Sequence, residues 1–235
     1  MSEQEFWQRF LAAERSGAPE IRTPAWMTGQ SGIVDLHVYP DGFELIEKLD
    51  TPRHRSAEIL ASAIGGAIGA PVAPVIAGMD GSIFMPRLPG EWISSPPGEL
   101  AAMEAVMDTA DARKLGLLDL LIRNSDRGGN WQRDGDHIYG FDHAPAFVHG
   151  PYAEDSPFVR HYVRPAPSGS GQWYEFVPND LSRSELDGYE ERIRALRPLF
   201  EEHARMDWAE RNEPLEWHDN VLSTLGKLRA HATRP

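Results

Sequence analysis

The sequence predicts an α+β fold of two lobes around a cleft, with a small β-rich lobe over residues 1–88 and a mainly helical lobe over 89–235. Three observations carry this expectation. Apolar and polar residues alternate through 33–39, and a second extended run at 43–49 follows a Pro40-Asp41-Gly42 turn, the pattern of a hairpin. Breakers then cluster at Pro86, Pro89, Gly90, Pro96, Pro97 and Gly98, and beyond them the apolar spacing becomes helical. Finally, a polar loop from Asn124 to Asn130 joins an almost wholly apolar helix to a short hairpin.

Taken in order, residues 3–15 read as an amphipathic helix with Phe6, Trp7, Phe10 and Leu11 on one face. Thr28-Gly29-Gln30-Ser31-Gly32 is a small-residue loop ahead of the first strand, Ile33 to Tyr39, and Phe43 to Leu49 is the second. Ser56 to Gly69 reads as a helix, because Leu60, Ile64 and Ile68 recur every four residues and Gly69 stops it. Val72 to Ala77 and Ser82 to Leu88 read as two further strands around a Gly78–Gly81 turn. Glu99 to Thr109 and Ala112 to Arg123 are expected helices, the second buried. Trp131 to Arg133 and His137 to Phe141 form a hairpin around Asp134-Gly135. Residues 148–180, rich in Pro, Gly and aromatics, read as one long irregular loop, and Ser184 to His203 and Glu216 to His231 as closing helices.

Composition narrows the function. With a net charge of −13 and a pI of about 5.1, a nucleic-acid partner is disfavoured, since such proteins carry basic patches. No apolar run reaches the ~20 residues that span a bilayer, so no stable membrane insertion is expected. The acidic, amphipathic start is unlike a signal peptide, and cysteine is absent, which points to a cytoplasmic protein. Only three lysines are present (Lys48, Lys114, Lys227), so the position of each is informative.

Chemistry concentrates around the 124–130 loop. Asp126 and Asn130 precede the hairpin and Asp142 follows it, so two carboxylates and an amide oxygen flank one hairpin. Mg²⁺ takes hard oxygen ligands, commonly one or two carboxylates completed by phosphate oxygens. A further carboxylate can accept the proton of an attacking hydroxyl. Asn, Asp and Gly are also ordinary turn formers, and the loop taken alone fits either reading. Lys48 closes the second strand, and Glu58 stands ten residues on in the next helix. Lysine gripping phosphates and glutamate holding the lysine form a phosphotransferase pair, although a solvated lysine and a helix-start glutamate fit the same spacing. Gly29, Gln30, Ser31 and Gly32 offer backbone N–H groups to phosphates, without the Gly-Lys-Ser/Thr of a Walker loop. His143, next to Asp142, is a candidate neighbour of the site. No metal-binding histidine spacing and no nucleophilic-serine elbow is present.

The run from Leu118 through Asp126 to Trp131 resembles the catalytic loop of type II phosphatidylinositol 4-kinases and their bacterial relatives, and Phe141 to Phe147 resembles their metal-binding segment. Thr28 to Lys48 is similar to their phosphate loop and ATP-binding lysine, and Ala70 to Pro74 to the turn after their first helix. HipA-like kinases share the scheme. The resemblance covers about residues 28–147 and implies a two-lobed protein-kinase-like fold using ATP and Mg²⁺. It implies that Lys48 contacts the α/β-phosphates, Glu58 pairs with Lys48, and Asp126 is the catalytic base. It implies that Asn130 and Asp142 bind the metal and that Pro86, Arg87 and Leu88 lie at the adenine. The expected reaction moves the γ-phosphoryl of ATP to a hydroxyl of a protein or small-molecule acceptor. In those families the catalytic Asp and metal Asn stand five apart, whereas Asp126 and Asn130 stand four apart. A nucleotide-binding regulatory module without turnover therefore remains an alternative, as does adenylyl transfer on the same fold.

Overall fold

A computed structural model describes residues 1–23, 33–78, 80–92, 96–124, 126–147, 156–170, 174–206, 209 and 213–234. Helix α1 (Glu3–Ser16) begins at a capping box in which Ser2 and Glu5 satisfy each other's backbone N–H groups. It buries Phe6 and Ala13 against Tyr39, Phe43, Leu45 and Ile76. Those residues belong to or flank an antiparallel sheet of β1 (Glu20–Arg22), β2 (Ile33–Val38), β3 (Glu44–Leu49), β4 (Ile76–Ala77) and β5 (Ser82–Pro86). The strand order is β1-β2-β3-β5-β4, which puts β3 at the centre with Lys48 between Val34 and Ile83.

Helix α2 (Pro52–Ile68) leaves β3 after one short turn. Thr51 caps it and Pro52 opens it, so the helix starts four residues before the expected Ser56. Gly69, at φ 70°, ends it as expected. Leu60, Ala61, Ile64 and Ile68 face the main core. The expected strand over 72–77 shortens to Ile76–Ala77. Pro71 and Pro74 have no N–H to pair, and the Val75 N–H goes to Ser62 Oγ at 3.1 Å.

The helical lobe holds α3 (Pro96–Val106), α4 (Ala110–Ile122), α5 (Arg183–Ala195), α6 (Arg197–His203) and α7 (Glu213–Ala230). Helix α3 begins at the prolines expected to break the chain, because proline is tolerated in a first helical turn. Nine of the residues of α4 are buried, from Ala112 to Ile122. At Gly116 a Cβ would meet the carbonyl of Phe158 at 2.0 Å, so α4 and a 3-10 turn at Pro157–His161 approach backbone to backbone. The expected hairpin is β7 (Trp131–Asp134) and β8 (His137–Gly140), turning at 135–136, with β6 (Glu91–Trp92) on its edge.

Two expectations for the C-terminal third are corrected. The described parts of 148–180 are not one irregular loop: β9 (Val163–Pro165) pairs with β10 (Tyr174–Phe176), and β11 (Asn179–Ser182) with the terminal β12 (Ala232–Arg234). Strands of three or four residues carry too little alternation to be read as strands. The single helix over 184–203 is two, divided at Leu196, where Pro198 removes the N–H that would continue the ladder.

Candidate active site

Central strand β3 carries Lys48 inward, and the second turn of α2 carries Glu58 to meet it. Lys48 Nζ donates to Glu58 Oε1 at 3.1 Å and to Asp142 Oδ1 at 2.7 Å, and Asp50 Oδ2 lies 3.5 Å away. Glu58 is bonded at both oxygens, since Oε2 accepts the His143 backbone N–H at 2.8 Å. One buried carboxylate thus ties the sheet to the backbone just past the hairpin. Asp142 sits there at φ 52°, a left-handed conformation that costs a non-glycine residue on the order of 1 kcal/mol.

The electrostatics are strained toward negative charge. Burial pulls the Lys48 ammonium down, but the Glu58 and Asp142 charges outweigh it and hold its pKa well above the ordinary value. Burial pushes Glu58 up to about 7 against the pull of Lys48. For Asp142 the balance reverses: burial acts upward, and Lys48 brings the carboxyl below its usual range. The carboxyl of Asp126 is raised, first by burial and then by the charge of Asp142, which places the two carboxylates in one field.

The loop itself is pinned from beneath. Asp126 takes a backbone bond to the Asn124 side chain at 3.2 Å, and Asn130 Nδ2 donates to Asp126 at its carbonyl (2.7 Å) and at Oδ2 (3.1 Å). The four-residue spacing is thus closed by a turn, with the Asn130 N–H on the Arg127 carbonyl at 3.2 Å. Arg127, fully buried, turns away from the cleft to Asp119 on α4, which is also fully buried. Asp119 further accepts from Asn124 Nδ2 at 3.1 Å and from Ser156 Oγ at 2.6 Å.

Lys48, Glu58 and Asp142 therefore meet directly, and Asp126 and Asn130 meet each other across the loop. Gly29, Gln30, Ser31 and Gly32 lie outside the described residues. Pro86 ends β5 opposite Leu45; Arg87 pairs at the surface with Glu44 at 2.6 Å, and Leu88 packs beside Met85 and Val75. Sequence reading missed Asp50, Asp119 and Ser156 and gave Arg127 no role. Asp119 did leave a signal, being a lone charge within the apolar run Leu117 to Ile122. A cavity of about 460 Å³ lies elsewhere, on another face of α2, lined by residues such as Ile59, Val75, Leu199 and His203. None of the candidate site residues lines it.

The donor set suits a hard cation. Asp142 is open at 35% of its side-chain surface, and Asn130 has its amide nitrogen on Asp126, which leaves its amide oxygen as a metal ligand among the described residues. Among the described residues no three His, Asp or Glu side chains form a ready metal cage. Mg²⁺ in nucleotide sites is commonly held by one or two carboxylates with waters and phosphates completing the shell, so this sparse set fits it.

No family model matches the sequence, and no curated protein does. Solved structures do. The Golgi casein kinase with Mn/ADP bound aligns with 97% of this chain and 76% of its own, at 10% identity and a TM-score of 0.55. A second structure of the Golgi casein kinase gives the same TM-score over 98% and 75%. The Helicobacter pylori proinflammatory kinase CtkA aligns over 90% and 94%, at 13% identity and a TM-score of 0.49. The fold is therefore kinase-like, a small antiparallel sheet lobe joined to a helical lobe.

Proposed function

We propose that this chain is an ATP- and Mg²⁺-dependent phosphotransferase that moves the γ-phosphoryl of ATP to a hydroxyl of a protein or small-molecule acceptor. The observation that carries the reading is the convergence of Lys48, Glu58 and Asp142, the first and last 94 residues apart, into one buried cluster facing Asp126. In this reading Lys48 grips the nucleotide phosphates and Glu58, beside Asp50 and Asp142, fixes the lysine. Asp126, its pKa raised, accepts the proton of the acceptor hydroxyl, and the Asn130 amide holds its carboxylate in place. Asp142 and the Asn130 oxygen would hold Mg²⁺. When bound, the ion supplies neutralisation of the phosphate charge. Pro86, Arg87 and Leu88 flank the adenine, and Gly29, Gln30, Ser31 and Gly32, outside the described residues, contact the phosphates. A lobe boundary near residue 88 belongs to the same proposal, supported by β6 at Glu91–Trp92 pairing with the hairpin of the helical lobe. Among the described residues no helix is long and apolar enough to cross a membrane, and the proposed compartment is the cytoplasm.

A second reading, a nucleotide-binding module without turnover, is favoured by one observation: the Asn130 amide is engaged by Asp126 at two atoms. One experiment separates the two. Melting temperature is followed with ATP, with and without Mg²⁺, beside release or transfer of the labelled γ-phosphoryl. Magnesium-dependent stabilisation with turnover that is lost in Asp126→Asn supports the phosphotransferase. Stabilisation without turnover selects the module, and no response to ATP sinks both.

A further inference from the structure

Arg127 follows the proposed catalytic base yet faces the interior with 0% exposure. Every one of its five N–H groups has an acceptor. Nε lies 3.1 Å from both oxygens of Asp119, and one Nη2 hydrogen goes to Asp119 Oδ1 at 2.8 Å. The other Nη2 hydrogen goes to His143 Nδ1 at 3.0 Å. A guanidinium can only donate, so the imidazole accepts there; burial, then the Arg127 charge, keeps its pKa well below the usual value. The two Nη1 hydrogens go to the carbonyls of Asn130 at 2.6 Å and Phe141 at 2.9 Å.

Those last three partners define what the side chain does. The Asn130 carbonyl belongs to one proposed metal ligand; the Phe141 carbonyl immediately precedes the other, and His143 immediately follows it. The Phe141 N–H also bonds the Asn130 carbonyl at 3.1 Å, so Arg127 sits where the two segments touch. Gly140 makes room for it and for Leu115: a Cβ there would stand 2.5 Å from Leu115 Cδ1, 3.0 Å from Nη1 and 3.2 Å from Cζ.

We propose that Arg127, anchored by Asp119, is a positioning residue that sets the separation of the Asn130 and Asp142 side chains and so the site's capacity for Mg²⁺; this rests on the phosphotransferase reading above. A planar fork can hold two carbonyls and a ring nitrogen in fixed directions, whereas a lysine ammonium keeps the charge and loses the plane. Supporting groups behind metal ligands commonly change metal affinity by about 10–100-fold when altered.

The test is Arg127→Lys in the full chain, with nucleotide affinity measured calorimetrically in Mg²⁺ and in EDTA, and folding followed by urea denaturation. Wild type should bind ATP more tightly with Mg²⁺. R127K should lose that magnesium-dependent gain by about tenfold or more, while its affinity in EDTA moves by less than about threefold. A purely structural role would weaken both alike. Folded R127K with the full wild-type magnesium gain, or with equal losses in both buffers, overturns the inference alone. Wild-type binding indifferent to Mg²⁺ overturns the phosphotransferase reading and this inference with it. If R127K does not fold, Gly140→Ala decides. Its Cβ crowds Leu115 Cδ1 first and the guanidinium next while keeping the arginine, and it should diminish the magnesium gain with the affinity in EDTA moving by less than about threefold; an undiminished gain, or equal losses in both buffers, is a refutation.

Discussion

Two buried charge clusters meet at this hairpin, and they are built in opposite ways. Arg127 and Asp119 are one cation and one anion, both fully buried, with every guanidinium N–H accepted. Lys48 is one ammonium facing three carboxylates, Asp50, Glu58 and Asp142. Among the described residues Asp50 Oδ2 finds no hydrogen-bond partner, and Asp142 opens to solvent. The first cluster is closed in both charge and hydrogen bonds, as scaffold must be when it is sealed from water. The second carries surplus negative charge and an opening, the condition of a place that receives a cation. What separates scaffold from site here is charge balance together with the opening at Asp142.

The contrast breaks most easily at its closed half. Asp119→Ala leaves a buried guanidinium unpaired and also strips Asn124 and Ser156 of their acceptor, so stability should fall by about 3–5 kcal/mol in urea denaturation. A loss under about 1 kcal/mol would show that the network is not scaffold. The open half should respond through pH instead. In Lys48→Met the carboxyl of Glu58, already pushed up to about 7, loses its counter-charge and rises further. A carboxyl raised above its unfolded value, here 4.5, favours the fold while protonated and loses that contribution as pH climbs through its folded pKa. The deficit should therefore be about 1–3 kcal/mol at pH 8 and smaller at pH 6. A deficit independent of pH would mean that the surplus charge is not felt.

The same division explains what could be read from sequence. Lys48, Glu58, Asp126, Asn130 and Asp142 stand at the ends of periodic or turn-marked segments, where local pattern and resemblance make them visible. Arg127 lay in plain view in the loop, but its direction depends on Asp119 eight residues back and on carbonyls 3 and 14 residues ahead. Ser156 reaches Asp119 across 37 residues, a closure no periodicity encodes. The elements behave likewise. Helices α1, α2 and α4 and strands β2 and β3 each have enough turns or alternations to declare themselves. Strands β9 to β12 exist only through their partners, as when the terminal strand returns to pair with Asn179 and Ser182.

A buried pair without charge isolates the part played by burial alone. His203, 4% exposed, bonds Ser56 Oγ through Nδ1 at 2.8 Å between α6 and α2. Burial lowers its pKa from the ordinary 6.5, with Glu202 opposing weakly. Below pH 6.5 the unfolded chain takes up the proton first, so stability should fall with pH by at most about 1.4 kcal/mol per unit until His203 itself protonates. Urea denaturation between pH 7.5 and 5.5 would register the slope, and His203→Gln should flatten it. An unchanged slope assigns the acid sensitivity to other groups.

The smallest expected effect on stability is the sharpest test of the contrast. Asp126 is largely open to solvent, partial desolvation of its carboxyl and the charge of Asp142 raise its pKa, and its backbone N–H bonds the Asn124 side chain regardless of the side chain at 126. Asp126→Asn removes one negative charge from a field already in surplus and breaks no pairing with a cation. Its stability should therefore lie within about 0.5 kcal/mol of wild type, on the favourable side if on either. Phosphoryl transfer should nevertheless fall by on the order of 10²–10⁴, because the proton acceptor is gone. Parallel urea and turnover measurements on the one variant separate the quantities. Loss of stability by more than about 2 kcal/mol would move Asp126 to the closed, scaffold side. Unchanged stability with unchanged turnover would leave the surplus charge without a catalytic purpose at this position, and the base would have to be sought elsewhere in the cleft.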